Sequence, residues 1–215
     1  MTTVLMFLMI AVGVTAAWYQ IYQMHFNINT LGEAKLSTSQ SSRLDTLLDA
    51  EQAAMKENDS APFDEAATRI FGRGVNLDAL RIAFSQEGRH AYGVPLLRRQ
   101  RTLVSTQTCS EGGNGIRARH LRLFKTRLPS LNVRNVFILM VIANCGIVQL
   151  LAAMSVYTIH YSVDVSALEW VNQPVMILLA IWSVVVLNAL FFKLDAYLHD
   201  LYQIRQLSQR TPLFI

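Results

Sequence analysis

Charged residues are scarce in this sequence, and three long stretches contain none at all. Only 16% of the 215 residues are Asp, Glu, Lys or Arg, below the roughly 25% that is usual in soluble domains. The uncharged stretches are Val4–Tyr22, Val136–His160 and Val171–Phe192. Each is long enough to form the helix of about 20 residues that crosses a bilayer. The sequence therefore predicts an all-α integral membrane protein with three transmembrane helices.

Cysteine is also rare, since the chain has only Cys109 and Cys145. Two cysteines cannot form the framework of a disulfide-rich domain, and Cys145 falls inside the second predicted span whereas Cys109 falls in a loop. Metal-ligand spacings, a nucleophile elbow and a dinucleotide-binding fingerprint are missing as well. We therefore expect neither enzyme activity nor a bound cofactor or metal.

The positive charges lie on one side of the predicted spans. Residues 23–135 hold 16 of the 19 Lys and Arg, and the segment after the third span holds Lys193, Arg205 and Arg210. The turn at residues 161–170 has none. By the positive-inside rule the N-terminus lies outside and the C-terminus inside. The expected location is the bacterial inner membrane, with the mitochondrial inner membrane as the alternative.

These spans divide the chain into five segments. They are a transmembrane anchor helix at 1–23, a small helical inside domain at 24–115, a basic amphipathic juxtamembrane segment at 116–135, a transmembrane helical hairpin at 136–193 and an amphipathic inside tail at 194–215. This order is similar to that of subunits of the proton-driven Tol–Exb stator family. The similarity is one of topology only, since the final spans lack the small-residue and threonine-rich faces expected in that family, and it implies a stator-like subunit as an alternative function.

The inside domain has the pattern of several short helices. Capping residues at 37–42 precede the first helix, a second is predicted from about Pro62, and a third follows Asn76, which is a favourable N-cap residue. The stretch 89–115 is predicted as a loop with a short strand at 102–105.

The segment before the second span combines basic and apolar residues. Three apolar residues recur at helical spacing: Leu121, Phe124 and Leu128. Three basic residues lie off that stripe: Arg119, Arg122 and Lys125. This pattern predicts a basic amphipathic helix over Ile116–Leu128 that lies on the inner leaflet and contacts anionic lipid head groups. The alternative is that these charges only set the topology, and no nucleic-acid binding is expected.

Polar but uncharged residues in the spans are candidates for helix packing or for lining a pore. One side of the second span carries Ala143, Gly146, Gln149 and Ala153, and the third span contains Asn188. Small residues beside an amide favour close helix packing in lipid, whereas a conducting path more often contains an ionisable residue. We therefore favour helix packing.

The tail after the third span keeps an apolar stripe that is a candidate partner-binding surface. Its members are Leu194, Tyr197, Leu198, Leu201 and Ile204, and the stripe continues to Leu207. The stripe packs either on the short helices of the same chain or on another subunit. Because so small a domain buries little surface by itself, we favour another subunit.

Together these patterns predict a non-enzymatic structural or assembly subunit of a larger multi-protein membrane complex of the secretion, motor or respiratory type. The subunit would contribute helix packing and an inside docking surface. Its expected partners are other membrane-protein subunits and anionic lipid head groups, in a hetero- or homo-oligomer. The alternative is a homo-oligomeric ion channel or a proton-driven stator-like subunit in which Gln149 and Asn188 face a pore.

Overall fold

A computed structural model describes residues 2–29, 36–72, 76–108, 113–120, 124–126 and 128–210. For residues 2, 3, 24, 25, 27–29, 104–108, 113–120, 124–126 and 210 the description covers the backbone alone. The described residues are predominantly helical, and three helices are long and apolar enough to cross a membrane. This is the pattern of a multi-pass membrane protein, and the predicted helical class is confirmed apart from one small sheet.

Within the described residues the chain forms seven α-helices and three strands. The helices are α1 Thr2–Asn29, α2 Thr38–Glu57, α3 Ala61–Phe71, α4 Leu77–Phe84, α5 Val94–Arg99, α6 Arg134–Tyr157 and α7 Pro174–Arg210. The strands are β1 Leu103–Thr108, β2 Gly113–His120 and β3 Phe124–Thr126. A π-helical turn at Arg89–Gly93 leads into α5, and 3-10 turns lie at Gln100–Thr102 and Ser166–Asn172.

The chain divides into two compact units. The membrane unit comprises Met1–Thr30 and Val133–Ala196, and the small-helix unit comprises Leu31–Asn132 and Tyr197–Ile215. The first part of α7 thus belongs to the membrane unit and its last part to the small-helix unit.

The membrane unit contains the three predicted spans as α1, α6 and the first part of α7. Its core is made of apolar side chains from all three helices: Ile10, Ala17, Val141, Cys145, Val148, Ile177, Ile181 and Val185. The turn between α6 and α7 is closed by Asn172, whose side chain makes hydrogen bonds of 2.9 and 3.0 Å with the backbone of Val163. At the other end, Arg134 pairs with Asp195 at 3.8 Å, and both side chains are largely buried.

The first three helices of the small-helix unit, α2, α3 and α4, begin where the sequence predicts. At the start of α2, Ser37 and Gln40 form a capping box in which each side chain accepts a hydrogen bond from the backbone N–H of the other. Helix α3 has Pro62 in its first turn, where a backbone N–H has no partner within the helix, so the missing N–H of proline costs nothing. Helix α4 is capped by Asn76, whose side chain accepts hydrogen bonds from two backbone N–H groups.

The core of the small-helix unit includes the end of α7. Its largest fully buried side chains are Leu44, Leu47, Phe63, Leu80, Phe84, Val94, Leu97, Leu201, Ile204 and Leu207. A buried ion cluster lies beside this core, since Asp200 accepts from Arg98 at 3.0 Å and from Arg99 at 2.7 Å. The Arg99 guanidinium also lies 4.7 Å from the ring centre of Tyr197.

Two predictions for the region between α4 and α6 are wrong. The stretch 89–115, predicted as a loop, contains a π-helical turn, helix α5 and most of an antiparallel strand pair. The basic amphipathic helix predicted over Ile116–Leu128 is replaced by strands at residues 116–120 and 124–126, whereas residues 121–123 and 127 lie outside the described residues. Strand β2 is central and pairs with β1 from Leu103↔Ala118 to Thr108↔Gly113, and with β3 from Ala118↔Thr126 to His120↔Phe124.

The sequence of β2 explains this correction. Residues 116–119 alternate apolar and basic residues, as Ile-Arg-Ala-Arg, which is the period-2 pattern of a strand. The preceding segment is rich in β-branched residues, which favour strands, and the predicted strand at 102–105 lies largely within β1. Ala118 of β2 pairs with a strand on each side, which satisfies its backbone N–H and C=O groups. This pairing favours a strand over the helix that the spacing of the apolar residues further along the chain predicts.

Candidate functional site

Asn188 lies in a polar cluster inside the membrane unit. It is fully buried, and its side-chain oxygen accepts a hydrogen bond of 2.8 Å from the Asn144 amide. Its own amide donates to the Cys145 sulfur at 3.8 Å, and the Cys145 thiol donates to the Ala17 carbonyl at 3.4 Å. These contacts join α1, α6 and α7, because a buried amide in apolar surroundings needs partners. Asn188 thus packs within its own unit.

The sequence did not single out the residues that give close packing in this unit. A Cβ atom on Gly13 of α1 would lie 2.6 Å from the Ile181 side chain, so α1 and α7 approach closely there. Ala17, one turn further on, is buried and supplies the carbonyl that Cys145 contacts. The spacing of Gly13 and Ala17 is the small-xxx-small pattern of membrane helix pairs, and it was available in the sequence as a signal.

The side of α6 chosen from the sequence faces away from the core of the membrane unit. We call this surface the α6 face, and its members Ala143, Gly146, Gln149 and Ala153 are all exposed. A Cβ atom on Gly146 would have no atom within 4 Å. The opposite side of the helix, with Val141, Cys145 and Val148, is buried. The structure therefore places the α6 face on the outer surface of the unit, away from the buried side of the helix.

Gln149 is the polar member of the α6 face. It lies within a predicted span, about 12 Å of helix rise from the end of α6 at Tyr157. In the described part of the chain its amide has no hydrogen bond to another residue. Hydrocarbon offers no replacement for water as a partner, so this amide is costly to leave facing lipid.

The apolar stripe of the tail is divided between buried and exposed residues. Leu201 and Ile204 are fully buried in the small-helix unit, and Leu207 joins them. For these residues the preference for another subunit is wrong, because the short helices and the tail together form one core. Tyr197 and Leu198 are half-buried, and Leu194, which belongs to the membrane unit, is 44% exposed.

The three basic residues chosen as lipid contacts are described only in part. Arg119 lies in β2 and Lys125 in β3, where the two residues pair across the sheet backbone, and Arg122 lies outside the described residues. At Arg119 and Lys125 strands stand in place of the amphipathic helix that was expected to present these residues to lipid. Their contact with anionic lipid head groups remains a prediction.

Two observations concern the His, Cys, Asp and Glu side chains of the described residues. These residues contain no group of three or more His, Cys, Asp or Glu that could hold a metal ion. Cys145 is a free, buried thiol. In comparisons with known proteins, no protein-family model, no curated protein and no solved structure matches this chain.

Proposed function

We propose that the protein is a non-enzymatic structural or assembly subunit of a larger membrane complex of the secretion, motor or respiratory type. One observation carries the proposal: the α6 face combines Ala143, Gly146 and Ala153 with an unpartnered amide at Gln149, and all four are exposed. A surface of small residues lets a second helix approach closely, and an amide on it can bond across the contact.

Hydrogen bonding and close packing both favour a helix of another subunit as the partner of this face. An interhelical hydrogen bond in a membrane contributes about 0.6 to 2 kcal/mol. The membrane unit already satisfies Asn144 and Asn188 internally, whereas Gln149 has no such arrangement. A neighbouring helix would supply both the hydrogen bond and the close packing at Gly146.

Orientation and location are part of the proposal. We place the N-terminus outside and the C-terminus inside, on the ground of the basic residues at 23–135. The host membrane would be the bacterial inner membrane, or alternatively the mitochondrial inner membrane. The basic residues of β2 and β3 would then lie on the side of the anionic lipid head groups.

The second candidate function is a homo-oligomeric ion channel or stator-like subunit with Gln149 facing a pore. Burial of Asn188 weighs against its predicted role of lining the pore beside Gln149, because its side-chain amide is hydrogen-bonded to Asn144 and Cys145. Conduction makes a distinct prediction, namely that Gln149→Leu abolishes ion flux in liposomes while the oligomer stays intact. The subunit proposal instead expects this variant to lose partners.

Co-purification of variants from the native membrane tests the proposal. Gly146→Leu places a bulky side chain on the α6 face, where an added Cβ atom meets open space in the chain itself, so we expect the fold to be kept and a partner helix to be displaced. We expect partners to be lost from Gly146→Leu and retained by Leu190→Ala, a change at a lipid-exposed position on α7. Equal retention in both variants would refute a role for the α6 face.

A further inference from the structure

The small-helix unit contains an open cleft to which the proposed role of the α6 face assigns no function. It has a volume of about 530 Å³ and is lined by residues of α2, α3 and α4. Its apolar lining includes Phe63, which is almost fully buried, Ile82 and Met55. Met55 is 67% exposed, so it forms an accessible apolar rim of the cleft. A volume of several hundred Å³ is that of a binding site.

The one cation in the described lining is already neutralised. Arg81 donates to both carboxylate oxygens of Asp64 at 2.7 and 2.8 Å, and Asp78 lies 3.6 Å away. These contacts raise the pKa of Arg81, chiefly through the hydrogen bond to Asp64. The guanidinium thus stays charged with Asp64 and Asp78 as its partners, and no other cation among the described residues lines the cleft beside the remaining acids.

Two further carboxylates line the cleft without a cation. Glu51 is partly buried, and burial alone raises the pKa of its carboxyl group. In the described residues it forms neither an ion pair nor a hydrogen bond. Asp59 uses one oxygen to accept from the backbone of Ala61 at 3.0 Å and is otherwise exposed. The cleft thus places negative charge beside an apolar floor.

The wider sequence has the same bias. Residues 43–87 contain nine acidic and five basic residues, although the whole chain carries a net charge of +4. An acidic surface on a basic chain attracts cationic segments and repels the anionic ones.

We propose that this cleft docks a segment of a partner protein that carries both basic and apolar residues. An apolar side chain of the partner packs on Ala54 and Ile82, which are partly exposed in the cleft, and a Lys or Arg places its charge beside Glu51. The aliphatic stem of that Lys or Arg covers Met55, a flexible side chain suited to variable contacts. The proposal rests on the proposed function, since it assigns a partner chemistry to the inside docking surface of an assembly subunit.

A peptide-binding measurement on the full-length protein tests this assignment. The protein is reconstituted in nanodiscs of zwitterionic lipid, and binding is followed by fluorescence anisotropy. The probe is a labelled 15-residue peptide in which leucines repeat at helical spacing on one face and arginines on the other. Its matched control carries Glu in place of each Arg. Empty nanodiscs report any binding to lipid, which is subtracted.

We expect the arginine peptide to bind and the glutamate peptide not to bind. Glu51→Gln removes the unpaired charge while keeping the shape, and it should raise the Kd about fivefold, as for the loss of about 1 kcal/mol. Met55→Ser should raise the Kd as well by removing the apolar rim. Glu57→Gln is the matched control, because Glu57 is an exposed acid on the same helix outside the cleft, and it should change the Kd by less than about 1.5-fold.

Three outcomes overturn the assignment: no binding of the arginine peptide, equal binding of both peptides, or equal weakening by Glu51→Gln and Glu57→Gln. Gly146→Leu separates this assignment from the proposed function, since that variant leaves the cleft unchanged. If Gly146→Leu fails to release partners while the arginine peptide binds as expected, only the role of the α6 face is refuted. If partners depend on Gly146 but the arginine peptide does not bind, only the cleft assignment is refuted.

Discussion

At the scale of single residues, two glycines of the membrane-spanning helices have opposite surroundings. Gly13 faces the Ile181 side chain at a distance that leaves no room for a Cβ atom, whereas Gly146 faces open space. We expect Gly13→Ala to destabilise the membrane unit by about 1 to 3 kcal/mol through overpacking. Gly146→Ala should leave stability unchanged or raise it, because alanine favours helix over glycine by about 1 kcal/mol.

Thermal unfolding of the full-length protein in one detergent, followed by circular dichroism, compares the two variants directly. Both variants replace a glycine by alanine, so the effect of the detergent on the melting temperature is the same in each. Equal melting temperatures for the two variants would contradict the close approach of α1 and α7 at Gly13.

A second residue-scale prediction concerns the pH dependence caused by Glu51. Burial raises the pKa of its carboxyl group above the ordinary value of 4.5 in the folded chain, so the folded state holds this proton more tightly than the unfolded state. The contribution of Glu51 to the free energy of unfolding therefore falls as the pH rises from 4.5 through the raised pKa. Glu51→Gln should be more stable than the original chain at pH 7, by no more than about 0.5 kcal/mol, and equally stable at pH 4.

Denaturant unfolding of the full-length protein at the two pH values measures this difference. A variant that is less stable than the original chain at pH 7 would mean that Glu51 has a cationic partner. The same measurement establishes that any loss of peptide binding by Glu51→Gln is not a loss of folding.

At the scale of elements, the end of α7 completes the core of the small-helix unit. Leu201 is fully buried there, and we expect Leu201→Ala to cost about 2 to 5 kcal/mol by leaving a cavity. Leu194→Ala, at an exposed position of the same helix, should cost little. Hydrogen exchange of α2 to α4 in the full-length protein measures the effect. Unchanged protection of these helices in Leu201→Ala would contradict the shared core.

Helices with strong local signals could be predicted from the sequence, and those without could not. The three spans follow from long uncharged runs, and α2 and α4 from the caps at Ser37 and Asn76. The sheet was missed because two periodicities overlap in residues 116–128, and local spacing does not reveal which strand is available to pair. Helix α5 was missed because six residues are too few for a periodic pattern.

The candidate site was also predicted in part, for a related reason. The sequence identified the residues of the α6 face as one side of a helix, but periodicity does not state which side meets the core. It grouped Asn188 with Gln149, whereas the structure buries Asn188 and exposes Gln149. It assigned Leu201 and Ile204 to a partner, because the apolar spacing of the tail does not indicate whether the short helices of the same chain or another subunit cover these residues.

At the scale of the whole molecule, the orientation in the membrane follows from the basic residues. We expect Ser39 and Ser166 to lie on opposite sides, with Ser166 outside. Each is exposed in its own unit and can be replaced singly by cysteine in a background in which Cys109 is serine and Cys145 is alanine. A membrane-impermeant maleimide should label cysteine at Ser166 in intact cells, and cysteine at Ser39 only after lysis. Labelling of both positions in intact cells would refute this topology.

The central claim is that the chain works as a subunit of a larger membrane complex. The most direct test is the particle mass, with the identity of every chain, after purification from the native membrane in a mild detergent. The expected result is a particle well above the 24.2 kDa of one chain that contains other proteins in fixed stoichiometry. A particle that contains only this chain would contradict the claim, and an oligomer of identical chains would favour the channel alternative.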